Sequence, residues 1–174
     1  MLKGKNIYLR VVDIDDATTL FLWENNPDNW KISHTEVPFS MTAIHELVEN
    51  QSEIRKYGQL RFMICKLESD FSVGTIDLFD TNFQHGFASV GILIAEEKER
   101  RKGYAKEALQ LLITYCSEIL QLRNLKCNIH DDNEASCRLF EEVGFQLIGT
   151  KLNWLRYKNN YYDEKEYQLC LNEQ

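Results

Sequence analysis

Apolar and polar residues alternate along Asn6-Ile-Tyr-Leu-Arg-Val-Val12, the two-residue period of a half-buried strand. The acidic run Asp13-Ile-Asp-Asp16 then predicts a helix start, with the helix reaching about Glu24 and a loop at Asn25-Asn-Pro-Asp-Asn29. Residues 42–57 carry apolar positions at Ile44, Leu47, Val48 and Ile54, one helical face, and Gly58 supplies a left-handed stop. Leu60–Lys66 and residues 72–79 read as two strands joined by the polar turn Glu68-Ser-Asp70, an antiparallel hairpin. Phe87–Ile94 is a further strand. After a charged loop, apolar positions 105, 108, 109, 112, 116 and 119 mark the buried face of a helix over 103–120. A strand at 125–129, a short helix at 134–143 closed by Gly144, and strands at 146–154 and 166–171 around the turn Lys158-Asn-Asn160 complete the pattern. The order β-α-α-β-β-β-α-β-α-β-β predicts an α/β (α+β) fold, a mixed sheet of about seven strands covered by four helices.

At 174 residues the chain reads as one domain over 1–174 with a single large core. Hydrophobic residues make up 44% of it, which supplies that core and excludes disorder. The longest apolar block, Val90-Gly-Ile-Leu-Ile-Ala95, is far short of a membrane span, and the first residues lack the apolar stretch of a secretory signal. Five scattered cysteines without a Cys-x-x-Cys pair fit reduced thiols in a cytoplasm and suggest no metal site. The net charge of −7 disfavours nucleic acid and anionic membranes as partners and suits a cationic substrate.

One local exception stands out. Lys98 to Lys102 puts Arg100, Arg101 and Lys102 at the start of the longest helix, where cations meet the positive end of the macrodipole. Free amides of a first helical turn, cations beside them and a glycine at 103 make an anion site, with a solvated basic turn as the plainer alternative. Arg100-x-x-Gly103-x-Ala105 is similar to the Arg/Gln-x-x-Gly-x-Gly/Ala pyrophosphate motif of the GNAT superfamily of acetyl-CoA-dependent N-acetyltransferases. Asn133-Glu-Ala-Ser-Cys-Arg-Leu-Phe-Glu-Glu-Val-Gly-Phe145 resembles that family's Asn-x-x-Ser/Ala-x-x-Leu-Tyr-x-x-x-Gly-Phe segment. Ile7-Tyr-Leu-Arg10 and Asn159-Asn-Tyr-Tyr-Asp163 resemble the branch that holds bacterial spermidine N-acetyltransferases and ribosomal-protein N-terminal acetyltransferases.

The resemblance implies a mostly antiparallel GNAT sheet and assigns roles position by position. Backbone amides of Arg101, Lys102, Gly103, Tyr104, Ala105 and Lys106 would bind the pyrophosphate of acetyl-CoA, with Arg100 closing the loop. Ile92, Leu93 and Ile94 would pair with the pantetheine amides, and one amide there would polarise the thioester carbonyl. Asn133 and Ser136 would lie near the thiol end, although Asn133 also reads as a plain helix N-cap. The acceptor would be a primary amine, which arrives protonated because its pKa is about 10.4, so a carboxylate must hold it and a base or water chain must take its proton. Glu36 falls where the spermidine enzymes carry an acid, and Asp77 aligns with a second one. A polyamine leads, a protein N-terminus is the alternative within the enzyme class, and a silent acyl-CoA-binding module is the alternative outside it. The resemblance leaves room for a homo-oligomer.

Three departures qualify those roles. Phe140 stands where many relatives have the tyrosine that protonates the leaving thiolate, and phenylalanine has no proton to give. His130, before two aspartates, reads first as a structural or surface histidine, with a catalytic base as the alternative, and Cys137 reads as a small helix residue. Glu96-Glu97 replaces the usual Pro-Glu before the phosphate loop, and Arg55 and Lys56 replace the acid-rich loop that binds polyamine between subunits in spermidine enzymes.

Overall fold

The computed structural model describes residues 1–171. Its strands are β1 (Leu2–Lys3), β2 (Ile7–Val11), β3 (Leu60–Lys66), β4 (Ser72–Asn82), β5 (Phe87–Ile94), β6 (Asn124–His130), β7 (Gln146–Tyr157) and β8 (Asn160–Cys170). Its helices are α1 (Ala17–Glu24), α2 (Pro27–Ser33), α3 (Met41–Glu49), α4 (Ile54–Tyr57), α5 (Tyr104–Glu118) and α6 (Glu134–Glu142). The strands form one sheet in the order β1-β2-β3-β4-β5-β6-β8-β7, antiparallel throughout except for β5 beside β6. That single parallel pair is joined by α5, the crossover that parallel strands require.

The expected mixed sheet covered by helices is therefore present, and eight strands and six α-helices correct the expected seven and four. The extra strand is the two-residue β1. Residues 27–33, expected as loop, form α2 because Pro27 opens the helix and the Asn26 side chain accepts from Asp28 N at 3.1 Å. The helix expected over 42–57 breaks in two: the Gln51 side chain donates to the Leu47 carbonyl at 2.7 Å, and Glu53 leaves helical space at φ −122°, ψ 60°. Strand β8 begins six residues earlier than expected, since Lys158 takes φ 54° and the hairpin turns over two residues between Tyr157 and Asn160.

Alternation along β2 and β3 sends neighbouring side chains to opposite faces. Ile7, Leu9, Phe62 and Ile64 join Leu109, Leu112 and Cys116 of α5 and Phe140 of α6 in the larger core. Tyr8, Met63 and Cys65 join Leu20 of α1 and Ile44 and Val48 of α3 in the smaller one. The sheet is thus covered on both sides, and no described helix is long and apolar enough to cross a membrane. Strands β4 and β5 pack most tightly at Gly74, where a Cβ would lie 1.9 Å from the Leu93 carbonyl oxygen. Gly74→Ala is expected to lower the unfolding free energy by about 2 kcal/mol, because a backbone atom must move to admit the methyl. An unchanged urea midpoint would contradict the β4–β5 register.

Candidate active site

Two strands that part company create the site. β5 and β6 pair only at Phe87 with Asn124, Ala88 with Leu125 and Ser89 with Lys126. Beyond Ser89, β5 continues to Ile94 bonded to β4 on one edge alone, with Asp77 opposite Gly91, Ile76 opposite Ile92, Thr75 opposite Leu93 and Gly74 opposite Ile94. The edge facing β6 therefore offers a row of backbone donors and acceptors to an extended ligand, the geometry of strand addition.

Where β5 ends, the chain bends into α5. Arg101 and Gly103 both take left-handed backbone, at φ 62° and 84°, and Gly103 is the N-cap of α5 with no side chain capping the first turn. The first helical hydrogen bond runs from Glu107 N to the Gly103 carbonyl, so the amides of Tyr104, Ala105 and Lys106 precede the helical ladder. Arg100 ties the loop back to β5 by donating from Nε to the Ile94 carbonyl at 3.0 Å. Lys102 pairs with Glu99 and Lys106 with Glu142, each at 2.9 Å. Convergent amides, a glycine with nothing within 4 Å of its missing Cβ and flanking cations fit a pyrophosphate.

A cavity of about 570 Å³ opens beside the gap, walled by α1, the α2–α3 segment, β3 to β6 and α6. Its floor holds a row across three strands. Arg61 of β3 faces Asp77 of β4, which faces Gly91 of β5. Arg61 donates to Asp77 from Nε at 2.6 Å and from NH2 at 3.1 Å, and from NH1 to Glu24 at the end of α1 at 2.5 Å. Two carboxylates against one guanidinium leave this triad one negative charge when both are ionised. Burial pushes the Asp77 carboxyl above its ordinary range, and the Arg61 charge offsets only part of that.

Around the α6 end of the cavity lie Asn133, Ser136, Phe140 and His130. The Asn133 oxygen accepts from Ser136 N at 3.2 Å, so the N-cap role is real and its amide hydrogens are what it can offer a ligand. Phe140 is 2% exposed and meets Phe145 edge-on at 5.0 Å, which confirms an aromatic ring without a proton at that wall. His130 is buried as well, which agrees with the structural reading of that residue and not with the surface one.

The structure thus gathers Asp77, Ile92, Leu93, Asn133, Ser136 and Phe140 at one cavity, and Arg100 to Lys106 at the neighbouring helix start. Ile94 lies at the joint between the two, outside the cavity lining. Glu36 does not reach the cavity. His34 caps α2 with left-handed backbone at φ 55°, Thr35 and Phe39 turn inward, and Glu36 between them stays exposed, where its charge keeps its water. Reciprocal bonds between the Asn25 amide and the Phe39 backbone, at 2.8 and 3.0 Å, fix that loop. Glu24 and Arg61 were missed because an acid at a helix end and an arginine in a strand ordinarily face water. The only signal was a charge set between the apolar Leu60 and Phe62.

A half-opened parallel strand pair beside an uncapped, glycine-led helix fits an extended ligand that carries amides at one end and a pyrophosphate at the other, as coenzyme A does. The sequence matches the acetyltransferase (GNAT) domain over residues 6–146, and the chain belongs to that family: it is an N-acetyltransferase that uses acetyl-CoA. It is 28% identical over 163 residues to the probable N-acetyltransferase YjcK of Bacillus subtilis, covering 86% of this chain and 85% of that one. It is 24% identical over 162 residues to spermidine N(1)-acetyltransferase of Vibrio cholerae, covering 93% and 91%. The crystal structure of the Vibrio cholerae spermidine N-acetyltransferase with CoA and spermine superposes with a TM-score of 0.88 over 98% of both chains at 22% identity, a likeness of fold.

Proposed function

We propose that the chain acetylates a small cationic amine of the polyamine type, with spermidine and spermine as leading substrates. The observation that carries this reading is the charge of the cavity. Four carboxylates, Glu24, Asp77, Asp80 and Glu164, line it against two cations, Arg61 and Lys126. Lys151 pairs with Glu164 at 3.0 Å, and Lys126 offsets one more charge, which leaves one net negative charge among the Glu24–Arg61–Asp77 triad and Asp80 for an ammonium to meet.

Acetyl-CoA supplies the acetyl thioester, and the chain's residues position it. Ile92, Leu93 and Ile94 would bond its pantetheine arm along the open edge of β5, and Arg100 to Lys106 would hold its pyrophosphate. Asn133 and Ser136 would border the thiol end. Glu24 and Asp77 would hold the ammonium, with Glu36 on the exposed loop at the rim. Phe140 closes the wall and donates nothing.

Thiol release from acetyl-CoA, measured with spermidine, spermine, short diamines and a peptide panel, tests this reading. Turnover with the polyamines is expected, and turnover with peptides alone would replace it with N-terminal acetylation. Glu24→Gln keeps a hydrogen-bond acceptor for Arg61 while removing the charge. It is expected to raise KM for the amine about tenfold, the loss of roughly 1.4 kcal/mol, with acetyl-CoA affinity unchanged.

A further inference from the structure

His130 ends β6, opposite Glu164 of β8, and its ring is held from two sides. It stacks on His34 at 5.5 Å and meets Tyr162 edge-on at 5.4 Å. The side chain is 6% exposed, lines the cavity, and its Nδ1 is buried with no hydrogen-bond partner among the described residues. Leaving a buried ring nitrogen unpaired costs about 1–3 kcal/mol, so the ring is held at the cavity wall by its stacking partners and not by a hydrogen bond at Nδ1. Among the groups nearest the α6 end none is free to take a proton, since the Asn133 oxygen caps α6 and Phe140 cannot exchange one, while Asp77 and Glu24 serve Arg61 and Asp80 is exposed at the far end of β4.

We propose that the imidazole of His130 is the proton acceptor for the incoming amine, met through the small part of the ring that the cavity leaves exposed. The ammonium gives one proton to the ring, and its freed lone pair forms the C–N bond to the thioester carbonyl carbon. The C–S bond breaks with its electron pair on sulfur. The second proton lost from nitrogen neutralises that sulfur, a proton Phe140 cannot provide, and His130 returns its own to solvent. One proton is released overall, as the conversion of an ammonium and a thioester to an amide and a thiol requires.

The surroundings keep the acceptor form populated. Facing His130 are His34 and Lys31 from the α2 side, Asp131 and Asp132 from the loop before α6, and Tyr162 and Glu164 from β8. Lys31 pairs with Asp132 and lies 4.0 Å over the Tyr162 ring. Burial first, then the charges of His34 and Lys31, hold the imidazole below its usual range, against the weaker pull of the two aspartates. At neutral pH it is therefore uncharged and ready to accept.

The inference rests on amine acetylation, and its test separates it from the choice of amine. With the best acceptor of the panel, kcat/KM should rise with pH along an acid limb set by an imidazole below pH 6.5. His130→Gln should lose about 100-fold in kcat, within the range for a positioned acid or base, and lose that limb, while KM for acetyl-CoA changes less than about threefold. A loss under threefold, or a limb that stays in place, overturns the proposal. NMR titration of the ring, assigned by the same variant, should give a pKa below 6.5 that moves when acetyl-CoA and spermidine are added. A pKa at or above 6.5 that neither moves overturns it, whether or not the panel yields an acceptor. Should His130→Gln fail to fold, His34→Gln decides: removing a positive and shielding neighbour should move limb and ring titration upward together, and a ring that moves without the limb overturns it.

Discussion

Arg61→Met is expected to lower the unfolding free energy by about 2 kcal/mol at pH 7, less than the roughly 3–5 kcal/mol of a fully buried pair because the three side chains keep 13–21% of their exposure. Methionine replaces the aliphatic stem but leaves Glu24 and Asp77 side by side without their cation. Burial already raises the Asp77 carboxyl, and with Arg61 gone nothing offsets it. The folded variant then binds a proton that the unfolded chain releases, so its stability rises as pH falls through that raised pKa toward the ordinary carboxylate value of the unfolded chain. Urea denaturation of both proteins at pH 7 and pH 5 should find the deficit smaller at pH 5. A deficit below 1 kcal/mol, or one that grows with acid, would mean that the triad is not the buried unit described above.

Gly103→Asp is expected to weaken acetyl-CoA binding about 100-fold in calorimetry, roughly 2.7 kcal/mol. At φ 84° any side chain is strained, by roughly 1–2 kcal/mol, and the loop relaxes by turning its amides away from the converging arrangement. The carboxylate adds repulsion of the phosphates. Gly103→Ala carries the strain alone and should cost about fivefold to tenfold. No atom lies within 4 Å of the added Cβ, so packing is untouched and the loss of stability in urea should not exceed the roughly 1–2 kcal/mol of backbone strain. Unchanged affinity in the aspartate variant would place the phosphates elsewhere.

The two variants probe parts of the site that differ in how far the sequence reveals them. The phosphate loop is contiguous: the direction of its amides follows from the backbone angles of Arg100 to Lys106, and Gly103 and the start of α5 mark them in the sequence. The strands and helices were legible for the same reason, since a period of two or of 3.6 is a local property. Boundaries slipped where a side chain competed with the backbone, as Gln51 does for the Leu47 carbonyl, or where a cap overrode composition, as Asn26 and Pro27 do for α2.

Of the acid floor only Asp77 was legible, through the family resemblance; its partners Glu24 and Arg61 and the burial of His130 were not, because each depends on elements far apart in the chain. Glu24, Arg61, Asp77 and His130 come from α1, β3, β4 and β6, and their neighbourhood is set by strand register and by the docking of α1 on the sheet. Glu36 has the more suggestive sequence context, yet a left-handed residue at His34 leaves it facing water. By itself the sequence determined the family, the acyl donor and the contiguous loop that would hold it, all properties written in short-range backbone geometry. Only the tertiary structure decided which carboxylates gather at the cavity and that His130 is buried with Nδ1 unpaired, because burial and charge pairing arise from contacts that no local pattern encodes.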